Sequence, residues 1–514
     1  MINFSELTLV TSEERNIGDN FVGIRKSLSK KGFEFCLPNG FEKDNFDGNF
    51  NQIRDLFFKL YRTFNKFEKD NKNSDRFKIN QPEYQKEQDQ TTLSSGGVTF
   101  ATQDGEPCVL YSKIKMIERV LSAYNDLAIH SIQKKISHTD KIDYSQIYKY
   151  LDRAIYLDDD IIHVEKMNLP RAVVRYESTD LIDLYCFILD EIVQQLEEDV
   201  PDNVKSRTQD IKFFAERFKD NYLSNNQSIF DSDTYAETIN ILKESLDQID
   251  HNTFYKDADY WELYEAIEIF LYGELDSSKN DGEYWGVKGF SLVWEDICHT
   301  YFFSQYKNFI CYADADIVLK NNQNNQRTKE QENRVGNYST HDGTKDWGGW
   351  IYVTTSNIEY PDKKGYFGWN ELLCIEFDYQ HASFVYDCPQ SFDSKERNRK
   401  NALRRFPRPD IVLNFSSEEI WIIDFKNVPY EFFEKNAKLP FDKTQKKYKI
   451  DVIKELTYEL AIQQTHEVSQ NWFLIPCHTE LDDFFINSEL EIKGIKVIKA
   501  NFDKFQSIYL NGST

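Results

Sequence analysis

Long apolar runs are missing from this chain. None of its 514 residues falls in an unbroken apolar stretch of roughly 18, the length that crosses a bilayer, so no membrane span is expected. Paired cysteines are missing too. The eight cysteines (36, 108, 186, 298, 311, 374, 388 and 477) are scattered with no CxxC pair, which argues against a zinc ribbon or a disulfide framework and for reduced thiols in a cytoplasmic protein. The opening MINFSELTLVTSEERN has neither a basic start nor an apolar core, so it does not read as a secretory signal. No GxxxxGK[ST] motif occurs, so the chain alone is not expected to hydrolyse a nucleotide. No internal repeat is present, which sets solenoids and propellers aside. Positive charge is in short supply, with 62 Lys and Arg against 86 Asp and Glu and a net charge of −24. A surface that acidic repels nucleic acid on average, so any contact with DNA must be concentrated where basic residues cluster.

What is present is the composition of a soluble globular protein, 40% hydrophobic and 15% aromatic. The length exceeds that of a single core and favours two or three domains. Residues 1–110 mix short apolar runs with turns and read as a mixed α/β domain, a candidate for partner or DNA recognition. A strand-like run lies at Phe33 to Leu37, followed by Pro38-Asn39-Gly40. Residues 49–69 then have helical period, with Ile53, Leu56, Phe57, Leu60 and Phe64 on one face. Residues 70–97 are polar and read as a loop. Residues 111–278 read as a mainly helical middle domain, with patterns at 111–135, 179–198, 208–223, 234–249 and 258–273, little proline and many acids. Residues 279–514 form the third expected domain, with a polar surface insertion at 321–346. The expected class is therefore α/β in the broad sense, α+β overall. A C-terminal domain with a mixed central sheet flanked by helices follows a helical middle and a small mixed N-terminal domain.

The chemistry concentrates in FPRPDIVLNFSSEEIWIIDFKN, residues 406–427. Two apolar runs, Ile411 to Leu413 and Ile420 to Ile423, are separated by a polar turn, a hairpin pattern. Pairing of the runs brings Asp410 and Asp424 to one end of a sheet. Lys426 falls on the face of Asp424, because side chains alternate with period two. Two carboxylates and an ammonium at one strand end can hold a divalent cation beside a water, the equipment for phosphodiester hydrolysis. The segment KERNRKNALRRFPRP, residues 395–409, comes immediately before. Its Arg399, Lys400, Arg404, Arg405 and Arg408 are candidate phosphate contacts, read against the alternative of a solvated charged face.

This stretch resembles the PD-(D/E)XK nuclease superfamily, with Pro409-Asp410 and Asp424-Phe425-Lys426 as the two halves of the motif. The helix pattern FSLVWEDICHTYF at 290–302, the helix pattern at 449–462 and the strand NWFLIPC at 471–477 follow that superfamily's order of helix, strand, hairpin, helix and strand. FEFCLPNGF at 33–41, WGVKGFSLVWEDIC at 285–298 and the helix around Lys454 to Glu459 narrow the resemblance to LlaJI-type restriction endonucleases, related in layout to McrC-type nuclease subunits. The catalytic resemblance spans about the last 230 residues. It implies a restriction-endonuclease-like fold and Mg²⁺, with Mn²⁺ as a substitute, held by Asp410, Asp424, the carbonyl of Phe425 and Glu295. Lys426 would orient or deprotonate the attacking water and offset phosphate charge. It further implies double-stranded DNA as substrate, a dimer at least on DNA, and a separate AAA-type NTPase as partner. Many relatives carry a Gln where this chain has Lys454, so that Gln's role is not carried over. Lys454 itself is read as a surface lysine ahead of a phosphate contact.

Several residues have competing readings. Glu295 either faces the metal or bonds within a helix–sheet interface, and Glu376 in CIEFDYQ is its competitor. Cys298-His299 and Cys477-His478 lack zinc-site spacing and read as core residues. His341, His381 and the Trp347-Gly348-Gly349-Trp350 turn carry no specific signal. The expected activity is that of the cleavage subunit of a bacterial restriction or anti-phage system. The alternatives are a non-catalytic assembly or DNA-recognition protein that keeps the nuclease fold, and a repair or transposon-end nuclease.

Overall fold

A computed structural model describes residues 2–71, 78–80, 98–101, 107–273, 284–313, 375–378, 383–386 and 409–511, apart from short breaks within these spans. The chain divides into two compact units. One comprises Met1–Ile2 and Lys115–Glu274, the other Asn3–Ile114 and Leu275–Thr514. The class is α+β.

The first unit holds α2 (Lys115–Ser122), α3 (Asp180–Leu196), α4 (Asp202–Lys205), α5 (Thr208–Tyr222), α6 (Tyr235–Asn252) and α7 (Ala258–Tyr272). Its central helix, α3, is buried nearly all round, as its apolar run LIDLYCFIL requires. The polar groups that α3 takes inside are matched. Arg217 donates to both oxygens of Asp183 at 2.5 and 2.6 Å, and Lys219 meets Glu191 at 3.2 Å. Four of the five helical patterns expected here fall on helices α3, α5, α6 and α7. The pattern at 111–135 does not run its length: α2 covers only Lys115–Ser122, and Lys135 opens a strand. That strand, β7 (Lys135–Ile142), pairs antiparallel with β10 (Pro170–Arg175), and β8 (Ile155–Leu157) pairs with β9 (Ile161–His163). These strands are short or lack clean alternation, so periodicity gives them no signal.

The second unit contains two sheets. The N-terminal strands are β1 (Thr8–Val10), β2 (Phe21–Lys26), β3 (Phe33–Cys36), β4 (Lys78–Asn80), β5 (Val98–Ala101) and β6 (Pro107–Tyr111). With β11 (Tyr284–Lys288) they form a seven-stranded sheet of order β1-β3-β2-β11-β6-β5-β4. β11 is therefore interior, antiparallel to both β2 and β6. Residues 1–110, expected as a domain of their own, share one unit and one sheet with the C-terminal part. A pairing between strands some 260 residues apart has no local signature. Helix α1 (Phe50–Asn71) covers this sheet with the stripe expected of it, Ile53, Leu56, Phe57, Leu60 and Phe64, all buried. Trp285 of β11 is fully buried against α1. Its ring lies 4.6 Å from Phe57, 5.4 Å from Phe64 and 6.1 Å from Tyr61, and its Nε1 donates to the Ser112 carbonyl at 3.1 Å.

The second sheet is built from β12 (Ile310–Ala313), β15 (Ile411–Ser416), β16 (Glu419–Phe425), β17 (Val468–Cys477), β18 (Phe485–Ile492) and β19 (Ile495–Asn501), in the order β12-β15-β16-β17-β19-β18. It is mixed: β15 and β16 are an antiparallel hairpin, while β16-β17 and β17-β19 are parallel. The parallel step from β16 to β17 is spanned by α9 (Tyr430–Ala437) and α10 (Lys446–Ile462), because parallel neighbours need a long crossover. Helices α8 (Phe290–Gln305) and α11 (Phe502–Asn511) pack together, with Trp294 stacked on Phe502 at 5.9 Å. Among the described residues, strands β13 (Ile375–Asp378) and β14 (Ser383–Tyr386) pair only with each other. Residues 321–346, Trp347–Trp350, His341, His381 and the arginine-rich 395–408 lie outside the described residues. Among the described residues no helix is long and apolar enough to cross a membrane.

Truncating Trp285 removes the ring that joins β11 to α1. Trp285→Ala is expected to cost about 3–5 kcal/mol, read as a lower urea midpoint. An unchanged midpoint would remove Trp285 from the core.

Candidate active site

Register builds the site. Ile411 of β15 pairs with Ile423 of β16, so Asp410, just before one strand, and Asp424, near the end of the other, stand at the same end of the hairpin. The Phe425 amide donates to Asp410 Oδ2 at 2.5 Å, which fixes the Asp410 carboxyl against the β16 backbone. From helix α8, His299 Nε2 meets the Asp410 carbonyl at 3.0 Å. The Phe425 ring packs edge-on to His299 at 4.9 Å and stacks on Phe302 at 5.7 Å. The amphipathic helix expected at 290–302 is thus the floor on which the hairpin end rests.

Lys426 continues β16 into register with β17 through its amide, which donates to Leu474 O at 2.9 Å. Its Nζ lies 2.5 Å from Asp424 Oδ2 and 3.4 Å from Asp451 Oδ1. Asp410, Asp424 and Lys426 therefore come together. Glu295 is half-buried on α8, near enough for its charge to act on Asp410. Its competitor Glu376 lies on β13, outside the six-stranded sheet. Arg399, Lys400, Arg404, Arg405 and Arg408 lie outside the described residues, although the chain re-enters them at Pro409.

The electrostatics divide the carboxylates. Burial, with the charges of Asp424 and Glu295 added to it, pushes Asp410 well above the usual carboxylate range. Burial opposes ionisation of Asp424 as well. There the Lys426 ammonium and a proton shared with Asp410 outweigh it, and Asp424 is held below its ordinary value. Burial also disfavours the Lys426 ammonium, but Asp424, Asp451 and Asp410 together raise its pKa well above normal. In this arrangement Lys426 is therefore favoured as the ammonium, a positive charge beside the two aspartates.

Helix α10 supplies residues that the motif alone does not reveal. Asp451, Glu455 and Tyr458 are all buried and lie at i, i+4 and i+7, one stripe of the helix. Glu455 is 0% exposed, and neither of its carboxylate oxygens finds a hydrogen-bond donor among the described residues. Burial first, then the neighbouring Asp424, pushes its pKa well above the usual range. Tyr458 is raised by burial and by Asp424 as well. The signal was in the sequence: acidic residues recur on the face that the apolar period turns inward. Lys454, beside them, is half-buried and adds a positive charge that favours ionised Asp424.

The opening motif also reaches this end of the sheet. Asn39 Nδ2 donates to both the carbonyl and the side-chain oxygen of Asn427 at 2.9 Å, one residue past Lys426. Gly40, at φ +85, accepts from the His478 amide at 3.0 Å. A Cβ there would lie 2.2 Å from the Pro476 carbonyl, so only glycine fits. His478 bonds Asp503 at 2.6 Å and stacks on Phe41, while Cys298 and Cys477 are buried free thiols.

Among the described residues no three His, Cys, Asp or Glu side chains stand in ready geometry for a metal ion. The donor chemistry nevertheless suits a hard divalent cation. Asp410 and Asp424 are adjacent carboxylates, and buried oxygens of Asp451 and Glu455 lack donors.

Glu455→Gln is expected to stabilise the cation-free protein at neutral pH by about 1–3 kcal/mol, because it replaces a buried carboxyl without a donor. A carboxyl whose folded pKa is raised keeps its proton in the fold while the unfolded chain loses it. It therefore weakens stability as pH rises above about 4.3. The gain should be absent below that pH and grow toward pH 7, as thermal melts across pH will show. A gain independent of pH would refute the assignment.

No protein-family model matches the chain, and no curated protein is found similar to it.

Proposed function

We propose that this chain is a Mg²⁺-dependent DNA endonuclease, the cleavage subunit of a bacterial restriction or anti-phage defence system. The observation that carries the reading is the meeting of Asp410, Asp424 and Lys426 at one end of the β15–β16 hairpin, in a mixed sheet backed by α8 and α10. Asp410 and Asp424, with the carbonyl of Phe425 and with Glu295, are the groups that would hold Mg²⁺. The bound cation would supply Lewis-acid polarisation of the phosphate and acidify a water at neutral pH.

The chain's own residues do the rest. The Phe425 amide and His299 keep the Asp410 carboxyl and backbone in place. Lys426, held as an ammonium, offsets charge that builds on the scissile phosphate and orients the attacking water. Arg399, Lys400, Arg404, Arg405 and Arg408, just before Asp410 in sequence, are assigned to phosphates of double-stranded DNA. They concentrate positive charge that the chain as a whole lacks. Two cuts in a duplex need two sites, so a dimer on DNA is part of the proposal. So is a separate AAA-type NTPase, which the resemblance to McrC-type nuclease subunits implies.

The test is cleavage of methylated and unmethylated plasmid by purified protein with Mg²⁺. Asp424→Ala and Lys426→Ala should each lower the rate by at least about 100-fold. Cleavage that survives Asp424→Ala would sink the site. Replacing Arg404, Arg405 and Arg408 by Gln should weaken DNA binding and flatten its salt dependence by about one unit of slope per arginine. An unaltered slope would take the segment out of the interface.

A further inference from the structure

We infer that Glu455 is a further cation ligand of this site, brought to it by helix α10 from the side opposite Glu295's helix α8. The inference rests on the cation-dependent reading proposed above and extends it to a residue outside the motif.

Three observations carry it. First, Glu455 is fully buried, and both of its carboxylate oxygens lack a donor among the described residues. A buried carboxylate is normally paired or hydrogen-bonded, and one that is not calls for a missing proton, water or ion. Second, Asp424 is the neighbouring charge that acts most strongly on Glu455, and it is likewise the neighbouring charge that acts most strongly on Asp410. Three carboxyl groups thus form a chain from α10 through β16 to the residue preceding β15. Mutual repulsion among them is relieved by protons or by a divalent cation, and oxygen donors of this kind suit Mg²⁺ or Mn²⁺. Third, Lys426 has a second anionic neighbour. Its Nζ touches Asp424 at 2.5 Å but also lies 3.4 Å from Asp451, one helical turn before Glu455. The ammonium can move toward Asp451 and keep a partner when Asp424 turns to a cation. In this arrangement the Lys426 ammonium, and not a cation, holds Asp424.

The experiment is Mn²⁺ binding to the full chain, followed by calorimetry and by the loss of the free-ion paramagnetic resonance signal. Wild type is compared with Glu455→Gln, Glu455→Asp, Asp424→Asn and Glu459→Gln. Glu459 is the control, one turn further along α10, where it accepts from Asn471 at 2.9 Å. The expected result is saturable binding in wild type, weakened about 10–100-fold in both Glu455 variants and in Asp424→Asn, and unchanged in Glu459→Gln. Thermal melts of the same samples report folding. Glu455→Asp keeps the charge but withdraws the oxygens, so it serves if the Gln variant does not fold. Wild-type affinity in the Glu455 variants, with weakened binding in Asp424→Asn, overturns the role of Glu455 and leaves the endonuclease reading standing. No saturable binding in wild type overturns both.

Discussion

The register of the β15–β16 hairpin is the constraint on which the site depends. With Ile411 opposite Ile423, the apolar residues of both strands are buried and the two aspartates flank the same end. A slip of one residue would carry Asp424 and Lys426 to the face that holds Phe425, so the packing of the hairpin and the site are specified by one pairing. The neighbouring parallel strand β17 extends that control. It takes the Lys426 amide into its ladder, and the ammonium is therefore launched from a fixed backbone position.

Charge balance follows from that geometry. A cation and several carboxyl groups are withdrawn from water at the same sheet end, and each is tolerable only because of the others. Lys426 stays charged because aspartates surround it, and Asp424 stays ionised because Lys426 touches it. Asp410 and Glu455, which lack an ammonium of their own, shift the other way. A structural ion-pair network usually matches its charges. Here acid is in excess over base in the interior, an arrangement suited to accepting a further cation.

Legibility in the sequence follows the range of the interactions. Helices α5, α6 and α7 fall where apolar period placed them, because each buries one stripe against neighbours in the same unit, and α3 falls where a continuous apolar run placed it. The hairpin was legible from two apolar runs and a polar turn, and Asp410, Asp424 and Lys426 came with it. The ribbons formed by β7 to β10 were not, since strands of three residues, or without alternation, carry no periodic mark. The stripe Asp451, Glu455 and Tyr458 is legible as polar residues on one helical face, but packing decides that this face of α10 turns inward.

The sequence by itself determined the local pieces: the helical stretches of the middle unit, the hairpin and the juxtaposition of two aspartates and a lysine. Each depends on residues close in the chain, where spacing dictates which side chains share a face. Tertiary structure alone decided that β11 enters the N-terminal sheet, that Asn39 and Gly40 brace the strand end beside Lys426, and that Glu455 is buried within reach of the Asp424 charge. Those contacts join segments from about thirty to several hundred residues apart, and hydrogen-bonding partners so distant are selected by packing of the whole unit, which no local pattern encodes.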